Sequence, residues 1–171
     1  MGVFSNINKA GGSGGGLYIV PGKYIFFIKR CKMIQGDFSK DRYFIAELEV
    51  ISATKTAENA PNHVGSEPDY MVNLDGKFPD LAMDNIADFM RVGMAGLADM
   101  SGEDRPEDPF TLDIDEETAD SICEEDNLLA GTFIECNAFN KPTRDKKDFT
   151  RTKWSVPKNL DELVAARKAA A

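Results

Sequence analysis

The residues able to do chemistry are unevenly spread along this 171-residue chain. Cationic and aromatic side chains gather in two stretches. The first holds Lys29, Arg30, Lys32, Phe38, Lys40, Arg42 and Tyr43, and the second Lys141, Arg144, Lys146, Lys147, Phe149, Arg151 and Lys153. Each set surrounds a polar turn, Gln35 to Asp41 in one and Lys141 to Lys147 in the other. Cations beside flat rings suit an unpaired nucleic-acid strand. Ammonium and guanidinium groups displace counterions from phosphates, and rings stack on exposed bases at roughly 1–3 kcal/mol per base. Arg30, Lys32, Arg42, Lys146, Lys147, Arg151 and Lys153 are the candidate phosphate holders; Phe38, Tyr43 and Phe149 are the candidate stacking rings. A charged hairpin tip can also be a soluble edge that resists aggregation. Two such tips, separated by a base-poor interval, favour a binding role.

The charge distribution carries that argument further. Net charge is −9. Residues 23–43 nevertheless hold six basic groups against two acidic ones, and residues 137–158 hold seven against two. Between them, residues 44–136 hold four basic groups against 23 acidic ones. Such asymmetry implies a directed interaction surface. The densest acidic run, Glu103 to Asp126, has three readings. Asp113, Asp115, Glu117 and Glu124 fall at positions 1, 3, 5 and 12 of a calcium loop, but Thr118 stands where that loop needs glycine. The run could instead mimic nucleic acid or recruit a basic protein. A solvated, partly disordered loop is the expectation.

Other chemistries find little support. Cys31, Cys123 and Cys136 are scattered, and His63 is the single histidine. Neither a zinc tetrad nor a disulfide framework follows from them. His63 sits in a polar loop, Asn59 to Gly65. Glu47 and Glu49 share a strand face without the lysine two residues on that a two-metal nuclease pattern would carry. Gly11 to Gly16 is followed by no Lys-Ser/Thr, so it is a flexible arm rather than a phosphate loop. No catalytic residue, metal or cofactor is expected. No run of about 18 apolar residues is present, and Met1 to Gly16 lacks a secretory apolar core. A cytosolic location without membrane contact is the expectation.

The elements that must position these groups read as follows. Leu17 to Val20 is a short strand ending at Pro21-Gly22. Lys23 to Met33 and Arg42 to Ile51 form a long hairpin. Phe44, Ala46, Leu48 and Val50 alternate onto one face of its second strand. Tyr24, Phe26 and Phe27 read as core. Tyr70 to Leu74 is the next strand. Ile86, Phe89, Met90, Gly93, Met94 and Leu97 then mark an amphipathic helix from about Met83 to Ala98, with Asp84 and Asn85 as caps. A helical piece near Glu116 to Glu125 precedes two further strands, Gly131 to Asn140 and Asp148 to Val156. A short C-terminal helix follows the capping pair Asn159 and Glu162. This order predicts a mainly β domain over residues 17–156. It is OB-fold-like: a five-stranded barrel with one core helix after strand 3, an acidic insert at about 101–127, and a helical tail over residues 157–171. A β-sandwich is the competing architecture.

The runs Gly16 to Tyr24, Phe44 to Glu47, Val50 to Ser52, Asn85 to Phe89, Leu129 to Gly131 and Asp148 to Trp154 together resemble a group of small bacteriophage proteins of OB fold that bind single-stranded DNA. The resemblance covers about residues 16–156. It implies single-stranded DNA as the partner, a cofactor-free role in replication or recombination, and the host cytoplasm as location. In an OB barrel the two basic hairpins would flank one cleft. The chain departs from the group at its end, where Val164 to Ala171 is not an acidic tail. The internal acidic insert is the substitute surface for replication or recombination proteins, and self-association is compatible with the layout. The alternative is a virion structural or assembly protein whose flexible ends order on neighbouring subunits.

Overall fold

The computed structural model describes residues 18–38, 40–55, 60–142 and 148–170, without the side chains of Pro142, Asp148 and Phe149. The arm at 1–16, Leu17, Arg144, Lys146 and Lys147 lie outside the described residues. Five strands are present: β1 (Gly22–Gln35), β2 (Arg42–Thr54), β3 (Asp69–Asn73), β4 (Phe133–Pro142) and β5 (Asp148–Ser155). They form one antiparallel sheet in the order β3-β2-β1-β4-β5. The expected Leu17 to Val20 strand reduces to a single parallel bridge between Tyr18 and Asp69.

Alternation decides which face is inside. β1 buries Tyr24, Phe26 and Ile28, and a register shift between Ile28 and Arg30 then moves the phase so that Cys31 faces inward. β2 buries Phe44, Ala46, Leu48 and Val50, and β4 buries Ile134, Cys136 and Ala138. Helix α1 (Pro79–Met100) lies on this apolar side. It starts earlier than its polar cap candidates suggest. Phe78 occupies the cap position without a side-chain cap bond, and Pro79 opens the first turn. Proline's fixed φ fits a helix start, and the N–H it lacks would have no partner there.

The sheet is open. No backbone ladder joins β3 to β5 among the described residues, so the expected closed barrel is not formed. Rings meet instead. Tyr70 of β3 lies 4.8 Å from Trp154 of β5, edge to face, and Phe89 of α1 lies 4.9 Å from Trp154 and 5.6 Å from Tyr70. Rings of this size occupy the space that a ladder, with about 4.8 Å between backbones, would need.

The acidic insert is folded rather than a solvated loop, and the helical piece expected near Glu116 to Glu125 is present. It holds a 3-10 turn (Pro109–Thr111) and helix α2 (Glu116–Cys123). The Asp115 carboxylate accepts the Thr118 N–H at 2.8 Å and caps α2. Ile122 and Leu129 are fully buried, and the Arg91 side chain donates to the Leu112 carbonyl at 2.9 Å. A side chain at Gly93 of α1 would meet Leu129 at 2.7 Å, so the bare backbone there admits Leu129.

The insert completes an edge of the sheet. β4 pairs with β1 only from Gly22 to Phe27. Beyond that, Ile28 N–H donates to the Thr132 carbonyl and Gly131 N–H to the Ile28 carbonyl, both at 2.8 Å. At Cys31 the Asn127 amide takes over. Cys31 N–H donates to Asn127 Oδ1 and Asn127 Nδ2 donates to the Cys31 carbonyl, each at 2.7 Å. One side chain replaces a strand residue.

Helix α3 (Leu160–Ala170) follows Asn159, whose carbonyl accepts the Leu163 N–H. Its Arg167 lies 4.0 Å over the Phe27 ring and 2.9 Å from Glu49. Phe27 therefore belongs to the opposite face from the main core, against Phe133 at 5.3 Å.

Asn127→Ala should lower stability by about 1–3 kcal/mol, because both polar backbone groups of buried Cys31 lose their partners. Asn127 also has a φ of +43°. Asn127→Gly relieves that conformation while still lacking the amide, so a comparable loss in urea denaturation of both variants assigns the effect to the hydrogen bonds.

Candidate functional site

The first basic hairpin is largely neutralised within the chain. Lys29 donates to Glu67 at 2.8 Å and Lys32 to Glu47 at 2.7 Å. Arg42 grips Asp75 through Nε at 3.0 Å, Nη2 at 2.8 Å and its backbone N–H at 2.7 Å. The Arg42 guanidinium holds the Asp75 carboxyl down at about 2. Two of the expected phosphate holders, Lys32 and Arg42, are thus already engaged with carboxylates, as is the neighbouring Lys29. Arg30 and Lys29 line a concavity of about 770 Å³ shared with Glu124, Glu125 and Asp126. A second concavity, along α2, is lined by Asp115, Glu116, Glu117, Asp120 and Glu124. Neither suits a phosphate.

The two hairpins also leave β1 from opposite ends. Gln35 pairs with Arg42 at one end, and Gly22 pairs with Ala138 at the other, from which β4 runs on to Pro142. The 14 residues of β1 span roughly 45 Å of contour at about 3.3 Å each. Lys29, Arg30 and Lys32 therefore do not join the β4–β5 cations along this strand.

A different groove gathers the remaining candidates. It has a volume of about 670 Å³ and runs between β3, the start of α1, and β4–β5. Arg151 and Lys153 line one side, with Phe139 beside them; Asn73 of β3 and Gly76, Lys77, Phe78 and Leu81 line the other. Register explains the first side. Phe139 is opposite Arg151, Asn137 opposite Lys153, and Lys141 opposite Phe149. Phe139 is 38% exposed, and Lys141 and Lys153 are exposed. On the other side Phe78 is 64% exposed, with the Lys77 ammonium 5.6 Å from its ring centre. Lys77, Arg151 and Lys153 face Asp84 and Asp88 in this lining. Asp88 lies 3.6 Å from Arg91, and burial raises its carboxyl.

The hairpin root meets this lining at Asn73. Tyr43 pairs with Asn73 across β2 and β3, and Asn73 Nδ2 donates to Asp41 Oδ2 at 3.1 Å. Leu74 N–H donates to the Arg42 carbonyl at 2.8 Å. Arg42 and Tyr43 thus stand on β2, one strand behind Asn73 and outside the groove's lining, whereas Arg151 and Lys153 line it from β5. Lys40 and Phe38 stand on the turn beyond, outside the lining. Trp154 is 3% exposed and belongs to the core behind the groove.

Sequence reasoning missed Lys77, Phe78 and Phe139. The signals exist. In β4, alternation with Ile134, Cys136 and Ala138 puts Phe139 on the outer face. Phe78 precedes a helix-opening proline, eight residues before the apolar stripe begins at Ile86.

The thiols are poor nucleophiles. Burial pushes Cys31 and Cys136 far up, and burial with Asp120 and Glu124 pushes Cys123 to about 11. All three stay protonated at neutral pH. Among the described residues no cluster of three or more His, Cys, Asp or Glu side chains could hold a metal ion. No described helix is long and apolar enough to cross a membrane. No protein-family model matches the chain, and no curated protein matches it.

Where β3 begins, Asp69 faces Glu47 across the sheet, with Lys32, Lys29 and Glu67 nearby. Burial, then Glu47, pushes the Asp69 carboxyl up to about 6. The folded chain holds this proton more tightly than the unfolded chain. The stabilising contribution is therefore complete below about pH 4 and is lost as pH rises through about 6. Asp69→Asn should flatten stability against pH over that interval and be the more stable protein at pH 7, read from thermal unfolding of both proteins at pH 4, 5, 6 and 7.

Proposed function

We propose that this chain is a non-catalytic, sequence-tolerant single-stranded DNA-binding protein of the bacteriophage type, acting in replication or recombination. The groove between β3 and β5 carries this reading. Its lining holds more cations than carboxylates and two exposed rings, whereas the two concavities beside α2 are acidic. The connectivity supports it as well. A sheet in the order β3-β2-β1-β4-β5, with a helix between β3 and β4, has the path of an OB barrel left unclosed between its third and fifth strands.

In this reading Lys77, Lys141, Arg151 and Lys153 hold phosphates, and Phe78 and Phe139 stack on bases. The cations of the β4–β5 turn, Arg144, Lys146 and Lys147, extend the track by their place in the sequence, as does Phe149. Arg42 serves as a strut through Asp75 rather than as a phosphate ligand. The acidic segment repels phosphates from the rest of the surface and so concentrates the strand in the groove. It is also the surface offered to basic partner proteins. No cofactor enters.

Titration with oligo-dT tests the proposal. Trp154 is the single tryptophan and touches Tyr70, which lines the groove, so its fluorescence reports occupancy. Affinity should fall steeply with salt. Lys141→Ala with Lys153→Ala should flatten the logarithmic slope by roughly one to two ions. Absent binding, or binding indifferent to salt, overturns the proposal.

A further inference from the structure

The cations of β5 have a continuation on the outer face of the sheet. Lys153 pairs directly with Asn137 of β4, and Asn137 pairs directly with Lys23 of β1. Directly paired residues of neighbouring strands put their side chains on one face. That face is the outer one, because the flanking Tyr24, Cys136, Ala138 and Trp154 are all buried in the core. Lys23, Asn137 and Lys153 therefore form a row across three strands. At about 4.8 Å per strand, its two lysines are about 10 Å apart at the backbone.

The chemistry of the row is uniform. Among the described residues neither Lys23 nor Lys153 makes an ion pair, whereas Lys29, Lys32 and Arg42 each do. Both lysines of the row are exposed. Asn137 Oδ1 is buried without a hydrogen-bond partner among the described residues, which leaves Nδ2, a donor, as the outward end of that amide. Two ammonium groups thus flank an amide donor. The next pair along this face is Phe139 with Arg151, and the one after it Lys141 with Phe149. In the other direction Glu135 ends the basic run, its carboxylate accepting from Ser155 Oγ at 3.0 Å.

Register also fixes where the row stands relative to the groove. β5 is an edge strand, and Lys153 belongs both to the lining of the groove and to the row. Lys23 lies two strands further on and outside that lining. A chain of phosphates leaving the groove over β5 meets Lys153 first, then Asn137, then Lys23.

We infer that Lys23 and Asn137, together with Lys153, form a second phosphate track on the outer face of the sheet: a single strand longer than the groove crosses β5 and continues over β4 to β1. The inference rests on the single-strand reading of the groove and adds to it a dependence on strand length.

Oligo-dT strands of two lengths test it, about 5 and about 15 nucleotides, within the range of roughly 4–16 that one OB-type domain covers. Affinity for the long strand should fall more steeply with salt than affinity for the short one. Lys23→Ala should weaken the long strand about three-fold or more and reduce its logarithmic salt slope by roughly 0.7–1, the share of one contact. The short strand should stay within about two-fold of its wild-type affinity. Lys23→Arg should behave as the wild type. Lys40→Asn, which removes a charge at the far end of β1 and suits the left-handed backbone there, should change neither strand. A Lys23→Ala variant that binds the long strand as the wild type does, or weakens both strands equally, overturns the outer track alone. So does an equal loss in Lys40→Asn, which would make the effect one of overall charge. A wild-type chain that binds neither strand overturns the groove reading and the track with it.

Discussion

Four rings join β3 to β5, edge strands that share no ladder among the described residues. Phe44 of β2, Tyr70 of β3, Phe89 of α1 and Trp154 of β5 touch in sequence, with centroids 4.8–6.4 Å apart. Each such pair contributes about 0.5–1.5 kcal/mol beyond the area it buries. Their more important effect is geometric. They bridge the two edge strands from the core side, where no backbone ladder joins β3 to β5 among the described residues. The groove is the space left over. Removing the rings would leave no defined distance between Asn73 on one wall and Arg151 on the other.

Charge obeys a second constraint, one that local counting along the chain hides. Residues 23–43 look strongly basic in isolation. In the fold, Lys29, Lys32 and Arg42 meet Glu67, Glu47 and Asp75, all from outside that segment. A window sum registers only neighbours in sequence, whereas antiparallel pairing and loop return bring in carboxylates from 15 to 38 residues away. The second basic stretch differs in place: Arg151 and Lys153 line the groove from β5, with Phe139 and Asn137 as their cross-strand partners. The two hairpins had equal claims on paper and have unequal ones in space.

Much of the scaffold was legible because its signals are local and periodic. Alternation placed Phe44, Ala46, Leu48 and Val50 inside, and the three-and-four spacing from Ile86 to Gly93 marked the buried face of α1. Two things were not legible. The start of α1 hinged on Pro79 rather than on a polar cap, and the folding of the acidic insert hinged on single distant contacts: Asn127 with Cys31, Leu129 with Gly93. Such contacts leave no period in the sequence. The groove was partly readable for a related reason. Arg151 and Lys153 announce themselves by charge. Lys77, Phe78 and Phe139 become meaningful only once α1 and β4 are oriented.

The way the acidic insert seats against β1 bears on how copies of this chain behave when crowded. A strand whose outer backbone groups are exposed invites another chain to pair with it. Here the outer side of β1 at Cys31 is occupied by Asn127, and Glu124, Glu125 and Asp126 stand immediately before it in the chain. A second molecule approaching that margin would have to dislodge an amide already hydrogen-bonded on both sides and bring its own carboxylates against these. The same segment that completes the sheet thus closes this margin of a 14-residue strand with hydrogen bonds already made and with carboxylates beside them.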